Sequence, residues 1–356
     1  MVKRLLTMVL VMGMLAGCSA FGRGNYVAVE PHNESYQVET DTSVLTVSGY
    51  LSLKNAILGL VEDAVEEGVI RAESYSGDLS QDLSSAVYEV SRGDPLGTFA
   101  VDYMTYDYSK IVSYYEIHVH TTYRRTLEEI QSIQNTSGVP GVKSRLKDAM
   151  EDYEPVVRLR VEDYGSLDME ALVEEVFREN ADFAVEIPQL EIVTFPETGS
   201  RRILEITFRY AHTRTSLEAC KTETAATVQN LTGLYGSENS DVTSAQRLLE
   251  RLVRDGKLDE TATSFSDGAY GALCLDHASS LGYCQGYLLL LRGMDIPCRL
   301  VSGTYGIEDH VWTELQLAGE TFYVDPTRSL ATGDTTGAII PTDSLEALGY
   351  VIKKEE

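Results

Sequence analysis

The chain repeats itself once. Sliding the sequence by 89 residues without gaps sets Leu83 on Leu172, Val87 on Val176, Tyr88 on Phe177 and Tyr106 on Phe195. The same shift sets Glu116-Ile117 on Glu205-Ile206 and Arg125-Thr126 on Arg214-Thr215. Two copies are too few for a solenoid, so the repeat predicts a compact pair or a pseudo-symmetric platform. Each copy reads helix, strand, turn, strand. In the first, Leu79 to Val90 has helical spacing, Phe99 to Tyr106 alternates, Asp107 to Lys110 reads as a turn, and Ile111 to Tyr123 alternates again. In the second, Met169 to Phe177 is helical, Phe183 to Phe195 extended, Pro196 to Ser200 the turn, and Arg202 to Thr213 the return strand. Before the repeat, Ser43 to Ser52 reads as a strand and Leu53 to Val69 as a helix. Thr126 to Ile133 and Val142 to Met150 read as connecting helices, broken at Gly138-Val139-Pro140-Gly141.

His118 and His120 share one strand face, which raises a metal site as an alternative. No cysteine or acidic partner stands at ligand spacing in the sequence, so an exposed sheet face is the stronger reading. Ser216 to Leu231 is helical and polar, and the segment 232–243 reads as a linker. Ser244 to Val253 opens a new amphipathic helix. Asp255 to Asp267 lacks the glycine and terminal glutamate of a calcium loop.

The chemistry-bearing residues follow. Gly282-Tyr283-Cys284-Gln285-Gly286-Tyr287 leads into an apolar helix from Gln285 to Arg292, stopped by Gly293 and Pro297. Cys284 is thereby expected at a helix N-terminus, where amides and dipole stabilise a thiolate. The same first-turn amides are candidates for holding an oxyanion. Cys298 to Gly303 alternates as a strand. His310 to Leu317 and Thr321 to Asp325 form a hairpin joined across Ala318-Gly319-Glu320. Counting outward from that turn brings His310 within a residue or two of register with Asp325. A thiol, an imidazole and a carboxylate are then a nucleophile, a base and its orienter.

Taken as an ordered set, Cys284-Gln285-Gly286-Tyr287, the Gly293 to Pro297 hinge, His310-Val311-Trp312 and Tyr323-Val324-Asp325-Pro326-Thr327 resemble the transglutaminase-like superfamily, with its papain-like core. The resemblance covers about Ser244 to Thr327, roughly a quarter of the chain. It implies Cys284 as nucleophile, His310 as general base and acid, and Asp325 as the residue orienting His310, and no cofactor. Gln285 and Tyr270 both remain open as side-chain oxyanion donors. The substrate it implies is an amide of a protein or peptide. A non-catalytic surface protein that binds through the repeat modules is the alternative.

The first residues bear on compartment. Lys3 and Arg4, the apolar run Leu5 to Leu15, and Leu15-Ala16-Gly17-Cys18 closely resemble a bacterial lipoprotein signal. It implies a signal peptide at 1–17, lipid on Cys18, a tether over 18–40, and an extracytoplasmic protein held on the membrane by acyl chains. The formal net charge of −26 repels phosphate backbones, so nucleic acid is not an expected partner. Of the five cysteines, Cys274 and Cys298 match no disulfide or metal pattern and read as core residues. The expected architecture is α+β: a repeat region at 41–231 with copies at about 76–126 and 165–215, then a transglutaminase-like domain at 244–356.

Overall fold

In the computed structural model, which describes residues 45–235, 240–259, 261 and 263–353, each repeat is longer than the helix and two strands legible in the sequence. The first copy runs β1 (Leu45–Val47), α1 (Tyr50–Glu62), β2 (Glu67–Glu73), α2 (Leu79–Tyr88), α3 (Pro95–Ala100), β3 (Val101–Ile111) and β4 (Tyr114–Tyr123). The second runs α4 (Leu127–Gln131), β5 (Ile133–Asn135), α5 (Gly138–Glu151), β6 (Val156–Val161), α6 (Met169–Glu179), β7 (Gln189–Phe195) and β8 (Arg202–Arg209). Their sheets share one topology, β1-β2-β4-β3 and β5-β6-β8-β7. The first pair of strands in each is parallel and the others antiparallel. Thr46 faces Arg71 and Asn135 faces Arg160, so this register repeats at the 89-residue shift.

Three of the matching pairs build the two cores. Leu83 and Val87 on α2, Leu172 and Val176 on α6, and Ile117 and Ile206 on the central strands are all buried. Burial of each such side chain is worth about 1.5–3 kcal/mol. Both helices begin on an aspartate whose carboxylate accepts from first-turn amides: Asp78 from Ser80 and Gln81, Asp168 from Ala171.

Several boundaries differ from the sequence expectation, each for a local reason. Tyr50 already belongs to α1, and Glu67–Glu73 is a strand rather than helix, because the chain turns through a left-handed Ala64. Pro95–Ala100 is helical, capped by the Asp94 carboxylate on Leu96 N–H. Asp107 to Lys110 is not a turn: β3 runs through it, and the reversal comes at Val112 and Ser113. Residues 183–188 precede β7 without being strand. Gly138 to Gly141 lies inside α5, which is the counterpart of α1 and not a connector.

The copies are joined by a charged and aromatic cluster. Arg125 and Arg158 both pair with Glu205, at 2.8 and 2.7 Å, and both also pair with Glu129. Phe99 meets Phe195 edge to face at 5.3 Å beneath Arg125. Ile203, on the far face of the second sheet, packs into the core of the first copy.

The remaining elements are α7 (Arg214–Tyr235), α8 (Asp241–Asp255), β9 (Lys257–Leu258), α9 (Ala269–Cys274), β10 (His277–Ala278), α10 (Ser280–Arg292), β11 (Cys298–Tyr305), β12 (Glu308–Leu317), β13 (Glu320–Val324), α11 (Pro326–Thr332), β14 (Ile340–Pro341), α12 (Thr342–Leu345) and β15 (Tyr350–Ile352). Thr232, Gly233 and Leu234, read as linker, extend α7. A five-stranded sheet β14-β13-β12-β11-β15 packs against α10, whose Leu288, Leu290 and Leu291 are buried among α8, α9 and the sheet. The fold is α+β throughout.

The signal segment 1–17, Cys18 and the tether 18–40 lie outside the described residues. Among the described residues no helix is long and apolar enough to cross a membrane. Nor does any group of three His, Cys, Asp or Glu among them suit a metal ion. His118 and His120 lie on the open face of the first sheet, 3.2 Å from Glu116 and 3.4 Å from Asp107 respectively. Acidic neighbours are therefore present, contrary to the sequence count: Asp107 comes from the paired strand, and Glu116 stands two residues before His118 on the same face of its own strand.

Candidate active site

Helix α10 is buried from Gly282 to Leu291. Its cap is Ser279, whose hydroxyl accepts from Gly282 N–H and donates to the Asp267 carboxylate at 2.6 Å. Gly282 has no room for a side chain, since a Cβ there would lie 2.1 Å from the Ser266 carbonyl oxygen. The 266–268 loop can press on the helix for that reason.

Cys284 is the fifth residue of α10, which starts at Ser280, about a full turn earlier than the start at Gln285 that the sequence suggested. Residues Ser280 to Gly282 read as a turn by composition, yet the Ser279 cap draws them into the helix. Cys284 is consequently remote from the unpaired amides of the helix start. The thiol is fully buried and donates to the Val311 carbonyl at 3.3 Å. Burial pushes it well above the ordinary thiol range, and the Asp325 charge adds to the effect. The thiolate stabilisation expected from the helix dipole is not present in this arrangement.

The hairpin β12–β13 turns through Ala318 and Gly319, at φ 53° and 85°, a two-residue loop one residue shorter than expected. Its register sets Thr313 opposite Val324. His310 therefore reaches Asp325 diagonally, with Nε2 to Oδ2 at 2.8 Å. Asp325 also caps α11, accepting Arg328 N–H on Oδ1 at 3.0 Å. Tyr350 donates its hydroxyl to Oδ2 at 2.8 Å. Burial alone would raise the Asp325 carboxyl. The bonds and charge of His310, with the Arg328 amide and Tyr350, outweigh burial and hold it below the usual carboxylate range.

Trp312 stacks on His310 at 6.1 Å and is wedged against Tyr350 at 5.1 Å. A cleft of about 630 Å³ opens beside His310, lined also by Leu281, Ser302, Lys353 and, from the second repeat copy, Arg178. The sequence-expected site residues His310 and Asp325 are thus hydrogen-bonded, and Cys284 is bonded to the residue next to His310. Gln285 and Tyr270 are engaged elsewhere. The Gln285 amide donates to the Phe177 carbonyl at 2.9 Å, and the Tyr270 hydroxyl donates to Glu223 at 3.1 Å. Cys220, Cys274, Cys284 and Cys298 are all free thiols, and Cys298 donates to the Leu288 carbonyl.

Sequence reasoning missed Tyr350 and Arg328. Arg328 follows directly on the Asp325-Pro326-Thr327 motif and was within reach of inspection. Tyr350 had no signal beyond a short apolar alternation near the C-terminus.

The sequence model of the transglutaminase-like superfamily matches residues 227–326. Those residues form a transglutaminase-like domain. No curated protein matches the chain. Among solved structures, the chain is similar to a candidate cysteine protease from Cytophaga hutchinsonii, at 11% identity, 47% of this chain and 71% of that one, with a TM-score of 0.28. It is similar to a TGase at 9% identity, 55% of this chain and 59% of that one, TM-score 0.27. A candidate protease from Parabacteroides distasonis is 10% identical over 72% of this chain and 39% of that one, TM-score 0.24.

Proposed function

We propose that the protein is a thiol enzyme that breaks an amide bond of a protein or peptide and carries the acyl group as a thioester on Cys284. His310 acts as general base and acid, and Asp325 orients it. The observation that carries this reading is the 2.8 Å bond from His310 to Asp325, beside a thiol bonded to the carbonyl of the next residue, Val311. All three side chains fall inside the matched span 227–326.

Because Nε2 is taken by Asp325, Nδ1 is the nitrogen left to receive the thiol proton. The thiol leaves the Val311 carbonyl, passes its proton to Nδ1, and the sulfur attacks the amide carbon. Imidazolium then protonates the leaving nitrogen, which departs as amine, and the Cys284 thioester remains. Water or a second amine, deprotonated by His310, attacks that thioester and regenerates the thiol. Hydrolysis gives a peptidase or amidase, and transfer to an amine gives a transglutaminase.

The test is site-resolved labelling of the intact protein with a thiol alkylator and an amide-based acyl probe. Cys284 should label faster than Cys274 and Cys298, and His310→Ala should slow it at least tenfold. If neither reagent prefers Cys284, the enzyme reading fails. The second reading, a surface protein that binds through its repeat modules, is favoured by the full burial of the Cys284 thiol, and that outcome would support it.

The protein is proposed to act outside the cytoplasm, held on the membrane by lipid at Cys18. Leu15-Ala16-Gly17-Cys18 after a basic and apolar start supports this. Replacement of Cys18 by Ser should move the protein from the membrane fraction to the soluble one; retention in the membrane would refute lipid anchoring at that residue.

A further inference from the structure

We propose that Tyr350 is a positioning residue: its hydroxyl is the second donor on Asp325 Oδ2 and fixes the rotation of the carboxylate that holds His310. The proposal rests on the catalytic reading of His310 and Asp325, and it adds a residue from outside the 227–326 span.

The geometry is specific. One carboxylate oxygen, Oδ2, accepts from both His310 Nε2 and the Tyr350 hydroxyl, each at 2.8 Å. The other, Oδ1, accepts Arg328 N–H at 3.0 Å. An ionised carboxylate has lone pairs for all three. With both oxygens engaged, rotation about the Asp325 side chain would break at least two bonds. Without Tyr350, the imidazole and one backbone amide would be left to set that rotation.

The fold delivers Tyr350 with little freedom. It is fully buried, its ring tilted against Tyr305 at 4.6 Å and wedged at 5.1 Å against Trp312. Strand β15 pairs with β11, setting Tyr350 opposite Tyr305 and Ile352 opposite Gly303. Gly303 is what admits β15: a Cβ there would lie 2.1 Å from the Val351 carbonyl oxygen and 2.7 Å from the Trp312 ring. Packing alone would be served by phenylalanine. A buried hydroxyl is unfavourable unless bonded; this one donates to Asp325 and also bonds the Arg328 side chain.

The groups that bear on Asp325 are His310 from β12, Tyr350 from β15, Arg328 from α11 and, through its charge when ionised, Cys284 from α10. Tyr305 from β11 faces Tyr350 and Arg328. Loss of one donor from an ionised carboxylate raises its midpoint by about one unit.

The experiment is a pH titration of the full chain in which the His310 Nε2–H proton resonance is followed by NMR, in the native protein, Tyr350→Phe and Tyr305→Phe. The resonance reports the bond to Asp325 directly. Tyr350→Phe should keep the native melting temperature within a few degrees and move the acid limb of that resonance up by about one pH unit. Tyr305→Phe removes a hydroxyl from the neighbouring ring and should leave the limb unmoved. An unmoved limb in Tyr350→Phe, or an equal shift in both variants, overturns the proposal. Because the readout is the His310–Asp325 bond, the result stands whichever way Cys284 reacts, and failure of the thiol chemistry would be seen separately in the labelling test.

Discussion

Asp325 keeps its charge in a buried position because donors converge on it from β12, α11 and β15. Its carboxyl is held below the ordinary range in the folded chain. The sign of the linkage follows: a depressed folded pKa gives stability that is present above the unfolded carboxylate value and is lost as pH falls through the folded one. Urea melts of the native protein and Asp325→Asn should therefore differ most near neutrality, by about 1–3 kcal/mol, and converge as pH drops from about 5 towards 2. A difference that persists unchanged at low pH would mean the carboxylate charge is not what stabilises the site. His310 and Asp325 were legible in the sequence because a hairpin count and an ordered motif both reach them. Tyr350 was not, since its contact depends on β15 pairing with β11, which no local pattern declares. Cys284 was legible as a nucleophile candidate but misread in environment. The capping by Ser279 decides where α10 starts, and that start decides whether the thiol meets free amides.

At the scale of elements, what could be read was what is half-buried with a regular period. Helices α2 and α6 expose one face and bury Leu83, Val87, Leu172 and Val176, so their pattern survives in the sequence. Strand β3 fails the same test for a structural reason. It is the edge of its sheet, and beyond Tyr106 it is exposed on both faces. Polar residues are tolerated there, and Asp107-Tyr108-Ser109-Lys110 imitates a turn while pairing with His118 to Tyr115 along β4. Helix α3 was hidden by length: six residues are too few for a helical period, and Phe99 within it and Val101 just after it favour strand. Its only clear mark is Asp94 ahead of Pro95, a cap and first-turn pair. The parallel strand β5, three residues long, carries too little pattern to be read, and β1, equally short, shows only inside the longer alternation Ser43 to Ser52, ahead of the repeat. This is why the duplication looked like helix-strand-strand when each copy holds four strands.

For the whole molecule, the question is how the repeat pair bears on the site, and the direct link is Gln285. It is the residue after Cys284, fully buried on α10, and its amide reaches across to the Phe177 carbonyl at the end of α6. Its own carbonyl oxygen is buried with no hydrogen-bond partner among the described residues. A buried amide used on one side only is an unfavourable residue for a helix core, so its contact with α6 is the structural use it has here. The neighbouring Arg178 of α6 lines the cleft beside His310, so the second copy contributes both a wall of the site and a brace on the nucleophile's helix. Sequence periodicity assigned each half its own elements but could not say which surfaces meet, because one polar contact between residues more than a hundred positions apart leaves no local trace. Replacing Gln285 with Leu should break the brace and leave the Phe177 carbonyl unpaired, lowering stability by about 1–3 kcal/mol in urea melts. Hydrogen exchange should quicken together at the C-terminal turn of α6 and the first two turns of α10, while β1 to β4 keep native protection. Faster exchange confined to α10 would mean the repeats and the thiol helix are packed side by side without being coupled through this bond.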